Sequence, residues 1–149
     1  MPDRGNAFVK AGAASALDMF EAEVEGLREL ALTSAIRVPA VIDCGIRDGR
    51  AFIALERLHF EPATRAAETM LGRQLATLHR HTEKRHGWHR DNTIGPTPQH
   101  NPWTGDWMEF FREHRLRFQL DLAARNGYSG ELQTLGLTLA DRLEGLFGD

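Results

Sequence analysis

The part of the sequence best equipped for chemistry is the stretch 91–107, DNTIGPTPQHNPWTGDW. Its amides and hydroxyls can donate and accept hydrogen bonds, and its two indoles offer flat apolar faces. Its content of proline, glycine and asparagine excludes a continuous helix. A long loop inside a compact domain is usually functional or disordered, and tryptophans argue against disorder. The composition therefore predicts an ordered, functional loop.

A second candidate for chemistry is the pair Lys10 and Glu23. Lys10 ends the β-prone run Ala7-Phe8-Val9-Lys10, and Glu23 lies in a predicted helix over 13–32. A lysine on a rigid strand supplies a positioned charge for an anion, and a helix glutamate can orient it. Glu23 is preferred because it shares the apolar face of the helix, whereas Glu21 lies about 160° away. The alternative is that Lys10 and Glu23 are solvent-exposed, and spacing alone favours it.

The elements that must position this pair follow in a simple order. After the helix, a strand is predicted over 40–44, a hairpin turn at Asp48-Gly49 and a returning strand over 51–56. This order of strand, helix, strand, turn and strand resembles the small lobe of protein-kinase-like folds. In such a lobe a strand lysine holds the nucleotide phosphates and a helix glutamate orients the lysine.

The segment 55–58 would be the hinge that follows this lobe. A hinge binds adenine through backbone groups, so the carbonyl of Glu56 and the amide of Leu58 would face the base. A strand end followed by a loop fits the same residues equally well.

Three helices are predicted in the rest of the chain. They run over 64–84 with Thr64 as N-cap, from Asp106 to a stop at Asn126-Gly127, and from a cap at Ser129 to the last residues. Each has an apolar stripe at helical spacing, which predicts a face buried in a core. The stripes are Ala67, Met70, Leu71, Leu75 and Leu78; Trp107, Phe111, Phe118 and Leu122; and Leu132, Leu135, Leu139, Leu143 and Leu146.

Composition and charge exclude several classes of protein. The 149 residues are 42% hydrophobic and 26% charged, which is ordinary for a globular domain. A net charge of −3 provides no basic footprint for nucleic acid, and no apolar run approaches the roughly 20 residues of a membrane span. Residues 1–10 lack the apolar core of a secretory signal, and the single cysteine, Cys44, excludes an internal disulfide. A cytoplasmic location is expected.

The histidines do not form a metal-binding pattern. His79 and His81 are two residues apart on a predicted helix and point in nearly opposite directions. The metalloprotease pair at i and i+4 with a glutamate between them is absent. Surface positions are expected for the histidines, with His86 or His89 hydrogen bonding near the loop, and no metal ligand is assigned.

Longer stretches of the sequence resemble one family, the fructosamine kinases or ketosamine-3-kinases. The similar stretches are Phe8-Val9-Lys10, 19–24 (MFEAEV), 71–82 (LGRQLATLHRHT), 86–95 (HGWHRDNTIG), 98–101 (PQHN), Trp103, Asp106-Trp107 and 110–116 (FFREHRL). The Asn-Thr-Ile-Gly block with the following glutamine, asparagine and Asp-Trp is specific to that family. The lysine and glutamate are shared by all kinase-like folds. The resemblance covers nearly the whole chain.

This resemblance implies an α+β fold. A small antiparallel sheet with one helix would form a partial small lobe over 1–58, and a partial helical large lobe would follow over 59–149. It also implies ATP- and Mg²⁺-dependent phosphorylation of the 3-hydroxyl of a ketosamine, either a small molecule or a glycated protein lysine, as a repair of glycation. Lys10, Glu23, Glu56 and Leu58 would bind the nucleotide. The substrate side would be His89, Asn92, Thr93, Gln99, Trp103, Asp106 and Trp107.

The departures from the family pattern predict an inactive chain. Family members are longer, and the Gly-rich strands over the phosphates would precede Phe8. The catalytic His-Gly-Asp segment and the metal aspartate would follow Asp149; the only similar triplet, His86-Gly87-Trp88, is a different element. An incomplete core would also expose apolar surface and favour self-association. The alternatives are a non-catalytic module that binds sugar adducts and a helical interaction protein.

Overall fold

A computed structural model of the chain describes residues 7–147. Residues 1–6 and 148–149 lie outside the described residues; they include part of the segment predicted not to be a secretory signal and the last two positions of the third predicted helix. The chain forms two compact units, divided after Thr82. The lobe boundary proposed after Leu58 falls inside the first unit and stays a prediction.

A three-stranded antiparallel sheet in the order β1–β3–β2 is the base of the first unit. Its strands are β1 (Ala7–Ala13), β2 (Val41–Arg47) and β3 (Arg50–Glu56). The turn between β2 and β3 holds Asp48 at φ 51° and Gly49 at φ 72°. Two successive residues with positive φ are what a tight two-residue hairpin requires, and Asp-Gly adopts them readily. The predicted hairpin is confirmed.

Helix α1 (Leu17–Leu32) packs against this sheet after a short 3₁₀ turn over Ala14–Ala16. The buried core consists of Phe20, Val24, Ala51, Ile53 and Leu55. The three β3 residues alternate in sequence, so they share the sheet face that meets α1. Phe20 and Val24 are therefore the α1 side chains that fix the helix on the sheet.

Helix α2 (Arg65–Leu78) begins where expected and ends early. The Thr64 hydroxyl oxygen accepts a hydrogen bond from the Ala67 amide at 3.2 Å, which confirms the predicted N-cap. The helix stops at Leu78 instead of Lys84. Its predicted core stripe is wrong for the described residues: Met70 is 57% exposed and Leu71 47% exposed. A stripe shows which residues share a face, but the element that would cover that face is not encoded in it.

The second unit combines a short hairpin with helices. Its elements are β4 (Asn92–Ile94), β5 (Thr97–Gln99), α3 (Trp107–Phe111), a π-helical segment (Arg112–Arg117), α4 (Phe118–Arg125), α5 (Glu131–Asp141) and a 3₁₀ turn (Leu143–Gly145). The predicted α+β class is confirmed. None of the helices among residues 7–147 is long and apolar enough to cross a membrane.

The π-helical segment changes which residues of the second predicted helix are buried. The expected stripe included Trp107, which is 38% exposed, and Phe118, which is half-buried; Phe110 and Leu120 are buried instead. A π turn contains more residues than an α turn, so the faces of α3 and α4 lose the common 3.6-residue phase. The start is as predicted, because Asp106 Oδ1 accepts hydrogen bonds from the amides of Met108 and Glu109.

Helix α5 departs most from its prediction. Gly130, with φ 74°, occupies the N-cap position, and the predicted Ser129 cap is wrong. Of the expected stripe only Leu143 is buried. The face of α5 that packs against α4 instead carries a small residue, Gly136. A Cβ added there would lie 2.4 Å from Leu120 Cδ2. The absence of a side chain therefore allows α5 to approach α4 closely.

Candidate functional site

The position of Lys10 follows from the register of the sheet. Lys10 is paired with Ile53 in the antiparallel ladder of β1 and β3. Directly opposed residues project to the same face. Ile53 is fully buried against α1, so the Lys10 side chain must lie on the α1 side of the sheet.

Lys10 and Glu23 form the ion pair that the sequence predicts. The Lys10 ammonium donates to both carboxylate oxygens of Glu23. The side chains are 39% and 32% exposed, so an anion in solvent can reach the ammonium. Glu23 is on the sheet side of α1 because it lies three positions after the buried Phe20 and so shares its face of the helix. The pair is thus built from two elements that share one core.

Glu56 ends β3 and is held at its backbone and its side chain. Its amide donates to the Ala40 carbonyl at 2.8 Å, and its carboxylate accepts from Arg37 Nη2 at 2.6 Å and from the Ala40 amide at 3.2 Å. The Ala40 amide and Arg37 together hold the pKa of the Glu56 carboxyl below its ordinary value. These contacts fix the strand end from which the predicted hinge to Leu58 departs.

The loop 91–107 contains a hairpin that the sequence did not predict. Gly95, with φ 58°, and Pro96 connect β4 to β5, so Asn92 faces Gln99 across the hairpin. Its base is closed by paired backbone hydrogen bonds between His86 and Thr104 at 2.9 and 2.8 Å. The loop is therefore ordered by a short antiparallel pairing within a segment that has little β-propensity.

Asn101 is the centre of this ordered loop. It is 3% exposed, and its Nδ2 donates to the Arg90 carbonyl at 3.0 Å and to Asn92 Oδ1 at 2.9 Å. Asn92 Oδ1 also accepts from Gln99 Nε2 at 3.1 Å. The Asn101 carbonyl accepts from the Trp88 amide at 3.0 Å. Each buried polar group of Asn101 is thus satisfied, as burial demands.

Arg115, from the π-helical segment, is a further hydrogen-bond partner of the loop. Its Nη1 donates to the His100 carbonyl at 2.7 Å and its Nη2 to Asn101 Oδ1 at 2.5 Å. Its guanidinium also lies 4.5 Å from the centre of the Phe110 ring. Burial lowers the pKa of Arg115, and Asp91 acts in the opposite direction. We call Asp91, Asn92, Gln99, His100, Asn101 and Arg115 the Asn101 cluster.

Asp91 supplies the negative charge of the cluster. Its Oδ1 accepts from the Asn101 amide at 2.8 Å, and its Oδ2 lies 2.7 Å from His100 Nδ1. The Asn101 amide and then the His100 ring hold the pKa of the Asp91 carboxyl below its ordinary value, with a further effect of the charge of His114. A carboxylate that accepts such bonds stays ionised at neutral pH.

A cleft of about 570 Å³ opens beside the Asn101 cluster. Its lining combines two indoles, three imidazoles, a guanidinium, a carboxylate and an amide. The lining residues are Trp88, His89, Arg90, Asp91, His100, Asn101, Pro102, Trp103 and His114. Flat apolar rings beside hydrogen-bonding groups suit a polar ligand that has hydroxyls and apolar C–H faces.

The structure places the predicted substrate residues in four settings. His89 and Trp103 line the cleft, whereas the amides of Asn92 and Gln99 are bonded to each other inside the cluster. Thr93 is exposed on β4. Asp106 caps α3, and Trp107 stacks on Phe111 with ring centres 5.2 Å apart. A substrate-binding role for any of the seven stays a prediction.

The sequence did not predict the three residues whose hydrogen bonds hold the loop together, which are Asn101, Asp91 and Arg115. The available signal was the pairing of residues around Gly95-Pro96, which brings Asp91 opposite His100 and Asn101. The Arg115 contact had no local signal, because Arg115 lies in the π-helical segment, fourteen residues after its partner Asn101.

The comparisons with known proteins agree with one another. A family model described as fructosamine kinase matches residues 2–147. A "Probable ketoamine kinase" of Synechocystis is 45% identical over 79% of this chain and 40% of its own length. A chloroplastic "Protein-ribulosamine 3-kinase" of Oryza sativa is 38% identical over 97% of this chain and 43% of its own length.

A solved structure gives the same result. The crystal structure of a "Putative fructosamine-3-kinase" from Thermobifida fusca matches with a TM-score of 0.82 and 33% identity, over 96% of this chain and 50% of that one. The chain therefore spans about half the length of the relatives that it matches.

Proposed function

The chain belongs to the fructosamine kinase family, and on that premise we propose that it forms part of an ATP-dependent ketosamine 3-kinase. The reaction would transfer the γ-phosphoryl group of ATP to the 3-hydroxyl of a ketosamine, on a small molecule or a glycated protein lysine. The relatives named ketoamine kinase and ribulosamine 3-kinase support this substrate class. The fold, which is shared with the fructosamine-3-kinase structures, supports it further.

The observation that carries the proposal is the Lys10–Glu23 ion pair. An ATP phosphate bears concentrated negative charge, and a lysine that a carboxylate holds on a rigid sheet is a positioned cation for it. The pair is partly exposed, so the ammonium can exchange one oxygen partner for another. Glu56 and Leu58 would hold adenine through their backbone carbonyl and amide, as the resemblance implies.

The residues of the chain fit ATP better than they fit Mg²⁺. Lys10 offers a cation for the phosphates. Among residues 7–147, no group of three or more His, Cys, Asp and Glu side chains could hold a metal ion. No step is therefore assigned to a Mg²⁺ ligand of this chain, although the resemblance implies a reaction with ATP and Mg²⁺.

The polar loop is proposed as the sugar-side element. The cleft beside the Asn101 cluster offers Trp103 and His89 for contact with a sugar ring, and Asp91 and Arg90 for polar contacts. Sugar hydroxyls need many donors and acceptors, and an indole can cover the C–H face of a ring. Asn92, Thr93, Gln99, Asp106 and Trp107 keep their predicted substrate role only as a proposal.

Nucleotide binding is tested by titration calorimetry with ATP and Mg²⁺. We expect saturable binding that Lys10→Ala weakens at least tenfold and that Glu23→Gln also weakens. The matched controls are Lys84→Ala, which removes the other lysine of the sequence, and Glu21→Gln on the far side of α1. Equal affinities for the wild-type chain, Lys10→Ala and Lys84→Ala would overturn the nucleotide assignment.

Turnover is a separate test. The sequence contains no His-Gly-Asp, the family segment expected to supply the catalytic base, so we propose that the 149-residue chain alone does not phosphorylate ketosamines. The assay follows ADP formation with a fructosyl-amine or ribulosyl-amine. Turnover by the purified chain that Lys10→Ala abolishes would contradict the proposed inactivity.

The second candidate function is a non-catalytic module that binds sugar adducts. It is favoured by the cleft, which is lined wholly by residues of the second unit. Ketosamine binding without ATP binding would support this module. The third interpretation is a helical interaction protein. It would be supported if the chain bound neither ATP nor a ketosamine. The cytoplasmic location and self-association stay predictions.

A further inference from the structure

The carboxylate of Glu56 accepts a hydrogen bond that a backbone carbonyl would normally accept. Two residues that face each other in a hydrogen-bonded antiparallel pair exchange both of their N–H···O=C bonds. The Glu56 amide donates to the Ala40 carbonyl at 2.8 Å. Between these two described residues the reverse backbone bond is not formed, and the Ala40 amide donates instead to Glu56 Oε2 at 3.2 Å. The side chain of Glu56 therefore replaces its own carbonyl as the acceptor.

Arg37 holds the carboxylate in this position. Its Nη2 donates to Glu56 Oε1 at 2.6 Å, so each carboxylate oxygen has a donor of its own. Both donors, Arg37 and the Ala40 amide, belong to the short connection between α1 and β2. An ionised carboxylate only accepts hydrogen bonds, and it can accept from both donors at once. The orientation of the Glu56 side chain is therefore set at two points.

The peptide unit that carries the Glu56 carbonyl is held at both of its residues. Arg57, the next residue, donates from Nη2 to the Ala7 carbonyl of β1 at 2.9 Å. Glu56 is bound to Ala40 on the other side of the strand. Rotation of this peptide unit would strain these contacts. A carbonyl that is already fixed loses little conformational freedom when it accepts a hydrogen bond from a ligand.

The 6-amino group of adenine is a donor that matches this carbonyl. We propose that the Glu56 side chain gives the hinge its preference for adenine, because it binds the Ala40 amide that would otherwise occupy the carbonyl. Glu56 would thus be a positioning residue through its side chain, which contacts Arg37 and Ala40 and not the nucleotide. The inference rests on the proposed nucleotide function, and it adds a side-chain role where the resemblance implies backbone contacts alone.

The test compares ATP with purine riboside triphosphate, which has a hydrogen atom in place of the 6-amino group. Titration calorimetry of the full 149-residue chain with Mg²⁺ gives the ratio of the two dissociation constants. We expect ATP to bind about fivefold more tightly, which is the effect of one hydrogen bond between neutral groups. Glu56→Ala releases the Ala40 amide to bind the carbonyl of residue 56, and the two affinities should become equal.

Two further variants separate this role from a general effect on stability. Glu56→Gln keeps a side-chain oxygen for the Ala40 amide and should keep the preference for ATP, although the ion pair is lost. Asp43→Ala is the matched control, because Asp43 accepts from the Cys44 amide at 2.9 Å and from Arg47 at 3.3 Å on the same sheet. It should leave the ratio of the two dissociation constants unchanged.

A second measurement needs no nucleotide. NMR scalar coupling across hydrogen bonds identifies the acceptor of the Ala40 amide in the isotope-labelled chain. Coupling to the backbone carbonyl carbon of residue 56 should be absent from the wild type and present in Glu56→Ala, and the reverse result would overturn the inference.

The calorimetry distinguishes two failures. If both nucleotides bind and Glu56→Ala leaves their ratio unchanged, this inference alone is wrong. If the wild-type chain binds neither nucleotide, the proposed nucleotide function is wrong as well.

Discussion

The α1-covered sheet and the Asn101 cluster are both ordered, but by different interactions. In the first, Phe20, Val24 and Ile53 leave water, and Lys10–Glu23 is added at the border of an apolar core. In the second, one buried asparagine satisfies backbone and side-chain groups along a loop with little apolar content. Apolar contact is tolerant of exact geometry, whereas a hydrogen-bonded cluster depends on each partner being present. The structure of the first region can therefore be predicted from the periodicity of its apolar residues, whereas the structure of the second cannot.

The largest effect is expected in the apolar region. Ile53→Ala empties a fully buried site and should lower the free energy of unfolding by about 2–5 kcal/mol. The control Ile46→Ala removes a side chain that is 48% exposed on β2 and should cost well under half as much. Urea unfolding followed by circular dichroism measures both. Similar losses of unfolding free energy in the two variants would show that burial does not determine how much each side chain stabilises the sheet.

The next effect tests backbone geometry at the base of the loop. Gly87 has φ 134°, and a Cβ there would lie 2.4 Å from the Pro102 carbonyl oxygen. Gly87→Ala should therefore cost about 2–4 kcal/mol through strain and collision. Gly95→Ala is the control, because Gly95 also has positive φ but has open space around it; about 1–2 kcal/mol is expected. Equal costs in thermal unfolding would mean that the close approach to Pro102 is not required.

Removing the central amide should have a somewhat smaller effect. Asn101→Ala leaves Asn92 Oδ1, the Arg90 carbonyl and Arg115 each short of a partner, and about 1–3 kcal/mol is expected. Gln119→Ala, at an exposed position of α4, should stay within about 0.5 kcal/mol. Equal urea midpoints for Asn101→Ala and Gln119→Ala would show that the hydrogen bonds of Asn101 do not stabilise the loop.

The smallest effect is electrostatic and depends on pH. Because the pKa of Asp91 is lowered on folding, its contribution is present above the ordinary pKa of an aspartate and is lost as the pH falls through the lowered pKa. The side chain is 58% exposed, so Asp91→Asn should cost below about 1 kcal/mol at pH 7. The difference in Tm from wild type should shrink as the pH falls below about 4. Asp121→Asn, at an exposed position of α4, is the matched control variant.

The sequence could predict those elements whose signals are local. Asp48-Gly49 between two β-prone runs contains its own turn geometry, and the capping oxygens of Thr64 and Asp106 lie within three residues of the amides that they satisfy. The pairing of Lys10 with Glu23 was expected from the order of elements, which resembles a kinase-like small lobe, whereas spacing alone favoured exposed positions. It is the β1–β3 register, seen only in the structure, that places Lys10 on the α1 side of the sheet.

The remaining features depend on contacts that are distant in sequence. The hydrogen bond from Arg115 to Asn101 exists because a π-helical segment rotates the arginine, and hydrophobic periodicity assumes a uniform α turn. The faces of α2 and α5 show the same limit. Their stripes are real, as Met70 and Leu135 demonstrate, but burial requires a partner that the periodicity does not specify.

The backbone bonds around Asn101 have a consequence for hydrogen exchange. The amides of Trp88 and Asn101 are both bonded through this residue or its partner Asp91, and the amide of Thr104 closes the same base. These protons cannot be released one by one without leaving a buried group unsatisfied. They should therefore exchange with deuterium in a single opening event at a common rate. This loop would then behave as one cooperative unit, either closed around Asn101 or open throughout.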